Sequence, residues 1–162
     1  MAIPEFVVAL REKIGTAPLW LSGVTAVVVK EDQLLLVQRA DTGAWTPVTG
    51  IIDPGEQPAD AAVREVAEEA GVRVVPERLA AIGVTDVVVY DNGDESQYLD
   101  LTFRMRWTEG DPHPADGENT RAVWFPRDDL PAMSDEMTGR IAAALSDGPS
   151  ALFQFGGAAF EG

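Results

Sequence analysis

The chain has 162 residues, 46% of them hydrophobic, and a formal charge of −15 from 27 acidic residues against 12 Lys and Arg. That size fits one globular domain spanning residues 1–162 with an ordinary core, and the charge argues against a nucleic-acid polymer or an anionic membrane as partner. The absence of cysteine excludes a disulfide framework and a thiolate nucleophile, and no apolar run approaches the ~20 residues of a membrane-spanning helix. With Pro4 and Glu5 and no basic region, the N-terminus does not read as a secretion signal, and a cytoplasmic location is expected.

Residues 4–14 place Phe6, Val7, Leu10 and Ile14 at helical spacing, and Gly15 stops the helix. Residues 16–22 read as a connector in which Trp20 packs over a sheet edge or stacks on a base. Residues 24–30 and 33–39 are β-rich runs separated by Glu31-Asp32, which predicts a hairpin. The turn at residues 41–43 and a short strand at 44–48 put Arg39 and Trp45 near the segment that follows. Within that segment, Pro58 suits a first helical turn, Asp60 complements the positive end of the helix dipole, and Gly71 fits a C-terminal stop. At ~100° per residue, Ala59, Val63, Val66, Ala67 and Ala70 fall on one side, and Glu65, Glu68 and Glu69 on the other. Helix chemistry alone leaves two readings of the acidic side. It is a solvated face, since like-charge pairs at this spacing cost only ~0.2–0.5 kcal/mol each in water; or it is a site for a hard cation, Mg²⁺ or Mn²⁺.

After a loop at Pro76-Glu77, residues 79–90 are apolar and β-branched, and residues 91–94 form a polar turn. Residues 98–107 alternate with period two. Leu99, Leu101, Phe103, Met105 and Trp107 face one way, and Tyr98, Asp100, Thr102, Arg104 and Arg106 the other. The polar face either meets solvent or lines a cleft in which Arg104 holds phosphate oxygens. Residues 108–120, rich in Gly, Pro and acids, are expected to form a mobile loop. The lone His113 there has no second histidine or cysteine with which to share a metal. Residues 121–125 form a last strand; Ser134 caps a final helix with Met137, Ile141, Ala144 and Leu145 as its buried stripe. The tail, residues 150–162, is apolar and is expected to pack on the domain or on a second copy, as in a homodimer.

Residues 50–72 carry a specific resemblance. Gly50, five residues, Glu56, seven residues, then Arg64-Glu65-Val66-Ala67-Glu68-Glu69-Ala70-Gly71-Val72 resembles the Nudix box without a mismatch. The resemblance implies that Glu68 and Glu69 are the principal metal ligands and Glu65 a third ligand or a base. It implies further that Glu56 and Arg64 form a loop-to-helix ion pair, and that Gly50 makes the turn bringing a backbone carbonyl to the metal. Relatives often add a glutamate from a later loop, for which Glu118 is the candidate and Asp116 its rival. Two departures stand beside the match: Pro47-Val48-Thr49 where many relatives have a Pro-Gly-Gly-like turn, and Asp53-Pro54 in place of a commoner Glu-x segment.

The order of elements predicts an α/β fold, a mixed sheet with helices on both faces, as the Nudix α/β/α sandwich also implies. The expected activity is that of a Mg²⁺-dependent pyrophosphohydrolase, with Mn²⁺ as the other candidate ion, acting on a nucleoside diphosphate linked to a further group. Arg39 and Arg104 are the candidate substrate-phosphate cations. Two alternatives belong to the same resemblance. One is a nucleotide-binding regulatory module without turnover, although such modules commonly lose box glutamates. The other is an isoprenoid diphosphate isomerase, whose relatives use a cysteine this chain lacks.

Overall fold

The computed structural model of the chain describes residues 3–156 and the backbone of residues 158–160. Helix α1 (Glu5–Ile14) is followed by strands β1 (Leu19–Lys30), β2 (Gln33–Arg39), β3 (Trp45–Thr46) and β4 (Val48–Ile51). Helix α2 (Pro58–Ala70) leads to β5 (Arg73–Val84), β6 (Val88–Val89), β7 (Glu95–Glu109) and β8 (Asn119–Pro126). Helix α3 (Asp135–Leu145) precedes a hairpin of β9 (Phe153–Phe155) and β10 (Ala158–Phe160). The large sheet runs β3-β2-β1-β7-β5, with β4 joined to β1, β6 to β7 and β8 to β2. β1 lies parallel to β7 from Leu19↔Ser96 to Val29↔Arg106, whereas β2 and β4 run antiparallel to it.

The two-residue period of the strands sorts their side chains onto two faces. On one, Val24, Ala26, Val28, Leu35, Val37, Phe103 and Met105 meet Ala62, Val66 and Ala70 of α2. On the other, Val27, Val29, Leu34 and Leu36 meet Ile141 and Ala144 of α3. Helices on both faces explain why β1 reads as an almost continuous apolar run rather than an alternating one. This is the predicted α/β/α arrangement. Val7, Leu21 and Ile51, with Phe6, Leu19 and Tyr98, fasten α1 to the strand ends.

Several boundaries differ from expectation for identifiable reasons. β1 absorbs the predicted connector from Leu19 onward, where a long parallel partner supplies hydrogen bonds, and Trp20 is 57% exposed on it. Pro47, lacking an N–H, divides the predicted 44–48 strand, and β4 runs on through Gly50. Conversely, Pro76 does not end a strand: β5 continues through it with irregularities at Pro76/Arg78 and Leu79/Ala81. The loop after β7 is tied down, since His113 N–H donates to Ala70 O at 3.1 Å and Ala115 N–H to Glu69 O at 3.2 Å, both at the end of α2. Leu152 pairs with the free edge of β5, whereas Phe153 and Phe155 of the tail stay 46% and 82% exposed; residues 161–162 lie outside the described residues. Among the described residues, no helix is long and apolar enough to cross a membrane.

Candidate active site

Strand β4 and helix α2 meet at a contact that only glycine allows. A Cβ placed on Gly50 would lie 2.1–2.2 Å from the carboxyl group of Glu65. Gly50 is a strand residue paired with Val24, not the turn expected for it; its place in the motif answers to the carboxyl group pressed against its Cα. The loop between the two elements is closed by Arg64. Its Nε and Nη2 donate to Glu56 Oε1 and Oε2 at 2.8 and 2.9 Å, and Nη2 also reaches Ile51 O at 3.1 Å. Glu56 in turn accepts from Asp53 N–H at 3.1 Å. This fork holds the Glu56 carboxyl below the usual carboxylate range and raises the Arg64 guanidinium, with the Glu56 hydrogen bonds the main cause of both shifts.

The acidic face departs from the helical-wheel expectation. Glu65 is 0% exposed and Glu69 5% exposed, while Ala67, placed on the apolar side, is exposed. Glu68 points outward. The sheet, β4 and the 110–118 loop wrap more of α2 than a single-face pattern anticipates. Among the described residues, no three acidic or histidine side chains converge on one point as preassembled metal ligands. Arg64 Nη1 takes Glu65 Oε1 at 2.8 Å and Glu68 Oε2 at 3.3 Å, and Asn119 Nδ2 donates to Glu69 Oε2 at 2.9 Å. Glu65 Oε2 is buried with no hydrogen-bond partner among the described residues.

Burial, opposed by the Arg64 hydrogen bond, pushes the Glu65 carboxyl up. Burial likewise pushes Glu69 up to about 7, against the hydrogen bond from Asn119 and with added repulsion from Glu65 and Asp116. Buried carboxylates with unmet acceptor capacity are costly unless protonated or supplied with positive charge. Their oxygens suit a hard divalent cation, so the donor set fits such an ion, with Glu65, Glu68, Glu69 and the Gly50 carbonyl as the residues available to hold it.

Gly50 and Glu69 open onto a cleft of about 860 Å³, which Arg39 and Glu118 also line. Glu118 arrives because its carbonyl accepts from Ala40 N–H at 2.8 Å, and its own N–H donates to Asp116 Oδ1 at 3.0 Å. Arg39 donates to Asp41 through Nε at 2.9 Å and Nη2 at 2.6 Å, a fork that raises its pKa and to which the charge of Glu69 also contributes. Trp45 is a packing residue, edge-on to Phe125 at 4.9 Å.

Arg104 is not brought to the box: Nε donates to Glu77 at 2.8 Å and Nη1 to Ala144 O at 3.2 Å, at the end of α3. The polar face of β7 lies under α3, which covers Asp100 and Thr102 and places Arg104 beside the helix terminus. Tyr98 and Asp100 of that polar face do line the cleft, while Asn119 and Arg140, not singled out from sequence, respectively touch Glu69 and line the cleft. Asn119 follows directly on Glu118, which is the only signal the sequence holds for it.

A family model described as the NUDIX domain matches residues 20–145. The chain belongs to the Nudix family. It is a Nudix hydrolase, and its relatives bear pyrophosphatase and phosphatase names. It is 33% identical over 137 residues to a MutT-like protein of Streptomyces ambofaciens, covering 84% of this chain and 81% of that one. It is 36% identical over 115 residues to the 8-oxo-dGDP phosphatase NUDT18 of Homo sapiens, covering 67% of this chain but 33% of that longer protein. An ADP-ribose pyrophosphatase structure from Streptococcus suis superposes with a TM-score of 0.66 at 25% identity, covering 83% of this chain and 98% of that one.

Proposed function

We propose that this Nudix hydrolase is a pyrophosphohydrolase dependent on Mg²⁺ or Mn²⁺, cleaving a nucleoside diphosphate linked to a further group by attack of water on phosphorus. The observation that carries the reading is the pair of buried carboxyl groups on one helix, Glu65 with an oxygen that has no partner among the described residues and Glu69 lining an open cleft. The names of the relatives agree in chemistry while differing in substrate: 8-oxo-dGDP, ADP-ribose and, in Photobacterium profundum, NAD-capped RNA. A nucleoside joined to a pyrophosphate is common to them.

A bound divalent cation supplies positive charge against the phosphate oxygens, which the chain, at −15, does not provide. The protein's part is positioning and electrostatics, as phosphoryl transfer requires. Arg64 and Glu56 fix the loop, so Glu65 and Glu68 are held before substrate arrives. Asn119 fixes one oxygen of Glu69. Arg39, at the cleft and already forked to Asp41, is the candidate cation for substrate phosphate through its remaining Nη1. Glu65 or Glu118 takes the proton of the attacking water, Glu65 through its unpartnered Oε2.

The test is incubation with a panel of nucleoside diphosphate derivatives and nucleoside triphosphates, with Mg²⁺, Mn²⁺ or chelator, and product identification in ¹⁸O-water. Metal-dependent release of a nucleotide with ¹⁸O on one phosphorus is expected. Product formation unaffected by chelator, or binding without any product across the panel, would overturn the reading.

A further inference from the structure

The end of α2 is where the box meets the loop that follows β7. A helix leaves its last carbonyls without intrahelical donors, and here the loop supplies them. His113 N–H donates to Ala70 O at 3.1 Å and Ala115 N–H to Glu69 O at 3.2 Å. Pro112 and Pro114 carry no N–H, so both backbone donors of the run 112–115 are spent on α2. The imidazole of His113 is seated on Gly71, where a Cβ would lie 2.2 Å from Cε1 and 2.8 Å from each ring nitrogen. Gly71, at φ 67°, already takes the left-handed conformation that ends the helix. The ring resting on it is a second reason for glycine, separate from capping.

Further along, the same loop takes hold of Glu69 again. Asn119 Nδ2 donates to Glu69 Oε2 at 2.9 Å, so the backbone carbonyl of Glu69 and its carboxyl group are held by opposite ends of the segment 115–119. Between these two anchors stand Asp116, Gly117 and Glu118. Gly117 turns at φ +87°, and Asp116 Oδ1 accepts from Glu118 N–H at 3.0 Å. So short a span, fixed at both ends, has few conformations, and Glu118 is thereby kept at the cleft that Glu69 also lines. His113 does not line the cleft; it is an exposed residue over the end of the helix, upstream of the first anchor on Glu69. Its influence on the reaction runs through the loop.

We propose that His113 is a positioning residue for the hydrolytic reaction: its ring, seated on Gly71, pins the loop to the end of α2 and so fixes Glu118 in register with Glu69. The proposal rests on the pyrophosphohydrolase reading of the box, and it invokes the shape of the ring rather than its charge. His113→Ala removes the ring, whereas His113→Phe keeps a flat ring without the nitrogens. Amide hydrogen exchange, read residue by residue without substrate, compares both variants with the wild type. The Ala115 amide is expected to exchange about tenfold faster in His113→Ala and within about twofold of wild type in His113→Phe. On a nucleotide that the wild type hydrolyses, His113→Ala is expected to lower kcat about tenfold with KM within about twofold, and His113→Phe to restore kcat. The midpoint of urea unfolding, expected to be unchanged at this exposed position, separates a loosened loop from a lost fold. The inference is overturned if His113→Ala keeps the wild-type kcat, if it lowers kcat without loosening the Ala115 amide, or if His113→Phe behaves as His113→Ala. Failure of the hydrolysis reading shows separately: the wild type then forms no product, while the exchange comparison still decides for or against the pin.

Discussion

Helices α2 and α3 lie on opposite faces of one sheet, and each carries charge into its contact with that sheet, with opposite outcomes. On α3, Arg140 is fully matched: Nη1 donates to Thr25 Oγ1 at 2.8 Å and lies 3.2 Å from Asp100, and Nη2 meets Glu136 at 2.5 Å. Asp100 is satisfied in turn by Thr25 and Thr102, both at 2.8 Å. On α2, Glu65 keeps a buried oxygen with no hydrogen-bond partner among the described residues, and Glu69 accepts from a neutral donor, Asn119. A closed polar network fixes the position of a helix. An open one is held at a cost, and that cost is recovered when positive charge arrives.

The contrast can be broken most sharply at Glu69. Glu69→Gln keeps the shape and an acceptor for Asn119 but removes the charge, so kcat should fall roughly 10³-fold or more. The metal-free melting temperature at pH 8 should stay level or rise; turnover close to wild type would end the assigned role. The reverse is expected on α3. Arg140→Ala leaves Asp100 buried without its cation and should cost ~3–5 kcal/mol in urea unfolding, whereas Arg140→Met, which removes the charge but keeps the stem, should cost less.

Stability against pH sharpens the comparison further. The folded pKa of Glu69 is raised to about 7, so the folded state binds its proton more tightly than the unfolded chain does. Its contribution is therefore full below the ordinary carboxylate pKa and is lost as pH rises through about 7. In chelator the wild type should lose on the order of 2–3 kcal/mol on this account between acid and neutral pH, and Glu69→Gln should flatten that limb. Glu56 acts in the opposite sense: its lowered pKa gives stability above the ordinary carboxylate range that acid removes. The smallest effect is expected at Arg104, tied to Glu77 and the end of α3. Arg104→Ala should lower stability by only ~1 kcal/mol and leave kcat/KM unchanged. A large loss in kcat/KM would return Arg104 to the substrate.

The alternation of β7, the stop of α2 at Gly71 and the Ser134 cap of α3 were legible because each is a local rule. The spacing of Gly50, Glu56, Arg64 and the glutamates was legible for the same reason, as one loop and one helix carry it. The fate of the polar face of β7 was not. Whether Asp100 and Arg104 meet water, substrate or another helix depends on where α3 lands, after more than thirty intervening residues.

By itself, then, the sequence determined the elements, the two-faced sheet and the acidic segment, since periodicity, caps and motif spacing act between near neighbours in the chain. Only the tertiary structure decided that Glu65 and Glu69 are buried rather than outward, that Asn119 bonds Glu69 and Glu118 lines the same cleft, and that α1 contributes a wall to that cleft. Each of those outcomes depends on residues distant in sequence excluding water from the same small volume, and burial of that kind leaves no mark on any one segment.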